Sequence, residues 1–119
     1  MTTKQAIISF SQSDKVKSGL IWCSQVAQLI DNLPPDEQNG AVKVLRNLIA
    51  MVANEVHLAR QASGNAIWLE VDKILNTARV MVDSGVSLEA VHHLTQALTQ
   101  VNRIGQTSMK QLIDEGLLQ

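Results

Sequence analysis

Apolar residues recur at alternating spacings of four and three along most of this chain, a pattern that predicts amphipathic α-helices. Four such stretches are separated by short segments that contain both prolines and several of the glycines. We predict helices over about 14–32, 35–63 and 66–83, and a fourth that follows an N-cap at Ser87. Because short connections place consecutive helices side by side and antiparallel, the sequence predicts an all-α, up-down-up-down four-helix bundle.

Each predicted helix has one apolar face that we expect to form the core. These faces comprise Val16, Leu20, Cys23, Ala27 and Ile30 on the first helix, Val42, Leu45, Leu48, Ile49, Val52, Val56 and Ala59 on the second, Ile67, Val71, Ile74, Ala78 and Met81 on the third, and Leu88, Val91, Leu94, Leu98 and Val101 on the fourth.

The two ends of the chain show weaker periodicity. The segment "QAIISF" is apolar without helical spacing, so residues 1–13 are expected to form a short N-terminal arm or the start of a longer first helix. Gly105 is expected to kink or end the fourth helix, which leaves "TSMKQLIDEG" for a short terminal turn. The bundle domain is therefore predicted over residues 14–119.

Composition narrows the functional classes. Apolar residues make up 45% and charged residues 18% of the 119 positions, with a formal net charge of −1, which is typical of a folded globular domain. A near-neutral chain does not favour nucleic-acid binding, which depends on clustered Lys and Arg. No signal-peptide pattern or membrane-length apolar run is visible, and a single cysteine suits a reducing compartment, so we expect a cytoplasmic protein without a membrane partner.

A second apolar stripe on the first helix predicts an interaction surface. Trp22, Val26 and Leu29 lie about 90° around the helix from the core stripe, and Leu69 and Val80 lie opposite the core stripe of the third helix. One interpretation is a wide stripe that wraps into the same core or meets the N-terminal arm. The other is an interface with a protein partner or with a second copy, for which a homodimer is the natural form.

His57 is the first residue considered for chemistry. It lies about 140° from the centre of the apolar stripe of the second helix, so it is expected to face solvent, with Arg60 one turn later. An exposed histidine beside a cation can accept phosphate. Here the chain resembles the histidine-containing phosphotransfer domains, which are four-helix bundles in which a basic residue three positions after the histidine is followed by glycine and small residues. This sequence has Gln61 where that family has the glycine.

A metal-binding alternative comes from Glu89 and His92, whose i, i+3 spacing is that of carboxylate-bridged di-iron bundles. Both residues lie about 130–170° from the apolar stripe of the fourth helix, so they are expected to point outward. His92 and His93 diverge by about 100° on a regular helix, which separates them as ligands. We therefore predict no inward-facing metal cage, and a metal-carboxylate bundle stays an alternative to a bundle that acts through protein contacts.

Two further residues complete the list of candidates. Glu55 lies at the edge of an apolar stripe, where its carboxylate needs a cation or a hydrogen-bond donor; without one its pKa would be raised. Cys23 lies on the core stripe, where cysteine behaves as a small apolar residue. No catalytic residue and no cofactor are predicted. The sequence favours a non-enzymatic bundle that acts through protein contacts as a structural, adaptor or regulatory module.

Overall fold

The computed structural model describes residues 1–118 and contains the predicted four helices: α1 (Thr3–Ile30), α2 (Pro35–Ser63), α3 (Ile67–Asp83) and α4 (Ser87–Asp114). Each helix packs along two others, with α1 between α2 and α4, and α3 between the same two helices. The molecule is elongated, with extents of 54 × 24 × 17 Å. The predicted four-helix bundle is confirmed.

The helix ends follow from local chemistry. Thr2 and Gln5 form a capping box, in which the Thr2 hydroxyl accepts a hydrogen bond from the Gln5 backbone and the Gln5 side chain accepts one from the Thr2 backbone. Pro35 opens α2, and Gly64 ends it with a positive φ of 67° that only glycine adopts without strain. Ser87 is the first residue of α4 and is buried, whereas Val86 occupies the N-cap; the predicted serine cap is therefore wrong.

Residues 3–13 are the first three turns of α1, so the longer-helix alternative holds and the separate N-terminal arm is wrong. The buried residues of this segment are Ala6, Ser9 and Ser13. Because they are small or polar, they give the sequence no apolar periodicity that would predict a helix. The small side chains allow these turns to approach α4 closely: a Cβ built on Gly105 would lie 2.8 Å from the Ser13 Oγ. α4 consequently continues through Gly105 to Asp114 without the expected break.

The core confirms the predicted face of α1 and most of that of α2, where Val42 and Leu48 are only partly buried, and it corrects those of α3 and α4. All five predicted residues of α1 are buried. On α3 the fully buried positions are Trp68, Val71, Leu75, Ala78 and Val82, so the face is turned by about one residue, and the predicted Ile67, Ile74 and Met81 are only partly buried. On α4 Leu88 is exposed, and the buried face comprises Ser87, Ala90, Leu94, Ala97, Val101, Ile104, Ser108 and Leu112.

The first residues of the chain and the residues at the C-terminal end of α4 meet at one end of the bundle. The Gln111 side-chain amide donates to the Met1 carbonyl oxygen at 2.8 Å, and the Thr3 hydroxyl donates to the Glu115 carboxylate at 2.9 Å. Across the described residues, none of the helices combines the length and the apolar character that crossing a membrane requires.

Candidate functional site

A row of residues, most of them with side chains that reach solvent, follows the junction of α1 and α2. On both helices the row advances by alternating steps of four and three residues, which is the heptad spacing of a helix-packing seam. We call this surface the α1/α2 face; it comprises Ile8, Gln12, Lys15, Gly19, Trp22, Val26 and Leu29 on α1, and Val44, Leu48, Met51, Glu55, Leu58 and Ala62 on α2.

The largest apolar side chains of this face are open to solvent. Trp22 is 59% exposed and Leu29 60% on α1, and Val44 is 62% and Met51 65% exposed on α2. Single exposed apolar residues are ordinary on a protein surface, but here they follow one another along two adjacent helices. A contiguous apolar patch of this kind marks an interaction surface.

One groove of the face lies between Trp22 and α2. It has a volume of about 160 Å³ and is lined by Lys15, Val16, Gly19, Trp22, Leu48, Met51, Val52 and Glu55. Gly19 lies at the floor of this groove and carries no side chain; a Cβ there would lie 2.7 Å from Cγ2 of Val52. Gly19 thus lets α1 and α2 approach closely beside the Trp22 indole.

A second groove lies on the same face toward the N-terminus of α1. It has a volume of about 320 Å³ and is lined by Ile7, Ile8, Ser11, Gln12, Leu58 and Ala62. Ile7 is 51% exposed and Leu58 is 46% exposed, so this groove also presents apolar surface to solvent. The α1/α2 face therefore carries two apolar grooves in line along its length.

An ion pair separates the two grooves. The Lys15 Nζ lies 3.1 Å from the Glu55 Oε1, and the Gln12 side-chain amide donates to the Glu55 Oε2 at 3.2 Å. The Gln12 hydrogen bond, and then Lys15, lower the pKa of Glu55 below its ordinary value. Glu55 thus has the donor and the cation that its position at the apolar edge requires, and it remains ionised at neutral pH.

The predicted interface residues divide between two surfaces. Trp22, Val26 and Leu29 lie together on α1, although Val26 is half-buried against the core. On α3, Leu69 is half-buried and Val80 is 50% exposed, and neither lines a groove of the α1/α2 face.

The α2 half of the face was missed by the sequence reasoning. The seven-residue spacing of Val44, Met51 and Leu58 could have revealed it. That signal was masked because the core stripe of α2 is the stronger pattern in the same segment.

The phosphotransfer candidates lie on the exposed side of α2. His57, Arg60 and Gln61 are all exposed, as the helical phase predicts for His57, and Arg60 follows His57 by about one turn. His57 therefore presents its imidazole to solvent. The phospho-acceptor role that the resemblance implies stays a prediction.

The metal candidates are also outside the core. Glu89 and His92 are exposed, and the His92 Nε2 lies 3.3 Å from the side-chain amide nitrogen of Gln96. Within residues 1–118 no three His, Cys, Asp or Glu side chains converge where they could hold a metal ion. The remaining chemical candidate, Cys23, is buried in the core, and this burial raises the pKa of its thiol to about 12.

Two other grooves differ from the α1/α2 face in their polarity. The groove between α2 and α3, of about 310 Å³, is lined by Asp72, Lys73 and Arg79 among others. The groove between α1 and α4, of about 300 Å³, includes Asp14 and Lys17. Among the described residues, the charged groups that line each of these grooves form no ion pair with one another, whereas Lys15 and Glu55 do.

Comparison of the chain with protein-family models, with curated proteins and with solved structures finds no match. The α1/α2 face is therefore interpreted from its own geometry.

Proposed function

We propose that this four-helix bundle acts by binding protein through its α1/α2 face, as a structural, adaptor or regulatory component rather than as an enzyme. The observation that carries the proposal is the run of solvent-exposed apolar side chains along the two paired helices, with Trp22 and Met51 on either side of one groove. Leaving this surface in water is unfavourable, and covering it with a partner recovers that free energy.

An aromatic anchor next to a hollow is typical of protein-binding surfaces. Tryptophan is enriched among the residues that contribute most to binding, and such residues pair with pockets on the partner. Trp22 offers an exposed indole, and the neighbouring groove between α1 and α2 can receive a side chain in return. The face thus has both the projecting and the receiving element of a protein interface.

Neither titratable group with a shifted pKa has the pKa that an acid–base catalyst needs at neutral pH. A general acid or base works best with a pKa near the operating pH. The pKa of Cys23 is raised to about 12 by burial, and that of Glu55 is lowered by Gln12 and Lys15, so both move away from neutrality. Cys23 is also a buried free thiol, which suits the cytoplasm that we propose as its compartment.

Site-specific photo-cross-linking tests this function. A benzophenone side chain replaces Met51 on the α1/α2 face and, as a matched control, Met109 on α4, which is also exposed. In cells that produce the protein, we expect irradiation to give a covalent protein adduct from position 51 and little from position 109. Equal adduct yields at the two positions, or none at position 51, would overturn the proposal.

A further inference from the structure

We propose that the protein that binds to the α1/α2 face is a second copy of this chain, related to the first by a two-fold axis that runs parallel to the helices. The proposal rests on the proposed function and specifies its partner. In this arrangement α1 of each copy lies on α2 of the other, and the four helices form a second bundle whose neighbours are all antiparallel.

The area of the face is within the range of specific protein interfaces. The face runs from Ile8 to Leu29 on α1 and from Val44 to Ala62 on α2. These two rows side by side present a surface of about 30 by 20 Å, or about 600 Å². Specific interfaces cover about 600–1,000 Å² of each partner. The face is therefore of the size that a second copy would cover, without help from α3 or α4.

The charges of the face select a second copy in this orientation. Among the described residues that line its two grooves, the charged ones are Lys15 and Glu55, which lie at the same height and neutralise each other. A two-fold axis parallel to the helices keeps every residue at its height and places Lys15 of one copy opposite Glu55 of the other. An axis that crosses the helices at the height of this ion pair would instead place Lys15 against Lys15, which like-charge repulsion disfavours. An axis that crosses at the middle of the face would place Lys15 opposite Trp22 and leave it without a carboxylate partner.

The apolar groups match in the same orientation. Trp22 lies seven residues along α1 from Lys15, and Leu48 lies seven residues along α2 from Glu55, on the same side of the ion pair. On the other side of the ion pair, Ile8 lies seven residues from Lys15 and Ala62 lies seven residues from Glu55. The axis therefore brings Trp22 of each copy onto the groove beside Leu48 of the other, and Ile8 onto Ala62. The heptad spacing of both rows allows these side chains to interdigitate.

Sedimentation equilibrium of the purified full chain tests the proposal, with two leucines of equal exposure as a matched pair. Leu29 is 60% exposed on the α1/α2 face, and Leu88 is 58% exposed on α4. We expect the wild type and Leu88→Asp to be dimers. We expect Leu29→Asp to raise the dissociation constant at least about 100-fold, because a two-fold interface carries the change twice. Circular dichroism verifies that both variants are folded.

A charge exchange tests the orientation. Lys15→Glu and Glu55→Lys, each alone, place like charges across the interface and should weaken the dimer about tenfold or more. Mixing the two variants should restore association as a heterodimer, because the carboxylate at position 15 of one chain then faces the lysine at position 55 of the other. A mixture that associates no better than the separate variants would contradict this axis.

Fluorescence gives an independent readout of the interface. The chain has two tryptophans and no tyrosine, so Trp68→Phe leaves Trp22 as the reporter. As the concentration passes the dissociation constant, the emission of Trp22 should shift to shorter wavelength, and the added Leu29→Asp should abolish the shift. An unchanged emission in a concentration range where sedimentation shows dimer would place the interface elsewhere.

The failure of this inference can be told apart from the failure of the proposed function. A wild-type chain that is monomeric up to about 1 mM overturns the self-association. If position 51 then cross-links to a different protein and position 109 does not, the α1/α2 face still binds protein and only the identity of the partner is wrong. If position 51 gives no adduct either, both proposals fail.

Discussion

The Cβ that an alanine at position 19 would add lies 2.7 Å from Cγ2 of Val52, so the contact between α1 and α2 depends on a glycine. Val52 is β-branched and held in the core, so it has little freedom to move away. The close approach of these two helices at the floor of the groove therefore depends on the missing side chain at position 19.

Gly19→Ala should lower the free energy of unfolding by about 1–2 kcal/mol. This net change is the cost of overpacking minus the gain in helix propensity from glycine to alanine. Gly40→Ala is the matched control, because Gly40 is also helical and its added Cβ meets nothing within 4 Å. That change should raise the free energy of unfolding by about 0.5–1 kcal/mol. Urea unfolding measures both variants, and two shifts of the same sign would contradict the contact.

Ser13 and Gly105 should behave as a coupled pair. A Cβ at position 105 would lie 2.8 Å from the Ser13 Oγ, which donates to the Phe10 carbonyl oxygen. Gly105→Ala alone is expected to cost about 1–2 kcal/mol. Adding Ser13→Ala removes the hydroxyl from the contact, so the double variant should lose less than the two single changes together. A double-mutant cycle by denaturant unfolding measures this coupling, and strict additivity would show that the two positions do not touch.

The stability of the protein should depend on pH through Glu55. Its folded-state pKa lies below the ordinary value of 4.5, so its stabilising contribution is complete above that pH and is lost as the pH falls through the folded-state pKa. The difference in unfolding free energy between the wild type and Glu55→Gln should therefore be constant at neutral pH and shrink in acid. Because the ion pair reaches solvent, we expect a difference below about 1 kcal/mol.

NMR titration of the Glu55 carboxyl carbon identifies the cause of this shift. Gln12 makes the largest contribution to lowering the pKa of Glu55, followed by Lys15. Gln12→Ala should therefore raise the carboxyl pKa toward its ordinary value. A titration curve that is unchanged by Gln12→Ala would rule out this hydrogen bond as the cause.

Cys23 should be unreactive in the folded protein. It is buried in the core, and desolvation raises the pKa of its thiol to about 12, so almost no thiolate is present at neutral pH. A disulfide reagent should label it only at the rate of unfolding. In a Gln25→Cys variant, the added thiol at an exposed position of α1 should react at once, so one fast and one slow phase are expected. Two fast phases would show that the core opens locally around Cys23.

The sequence predicted the helices wherever large apolar residues define the buried face. It did not predict them where small residues define that face. Val16, Leu20 and Ile30 mark the core face of α1, but the first turns of the same helix bury alanine and serine. Helix contact through Ser13 and Gly105 depends on how closely two backbones approach. That distance is set by the neighbouring helix and is not visible in a single periodic pattern.

For a related reason, the sequence predicted the α1 side of the α1/α2 face and missed the α2 side. Trp22 and Leu29 stand out on α1 because they lie beside a clear core stripe. Their counterparts Val44 and Met51 lie on a helix already assigned one apolar face, and only the packing of α2 against α1 joins the two rows. The partner of Glu55 was hidden in the same way, because Lys15 and Gln12 are distant in the chain.

Because the start of α1 meets the end of α4, the four helices form a closed ring in which each helix packs against two neighbours. Because Gln111 bonds to the Met1 carbonyl and Thr3 to Glu115, a short linker could join α4 to α1 without disturbing either helix. Opening the chain at Gly85, an exposed turn residue with a φ of 79°, would then give the order α4, α1, α2, α3 with every helix pair retained. The bundle is thus suited to circular permutation. Its architecture is specified by the neighbours that each helix packs against, and it does not depend on which helix comes first in the chain.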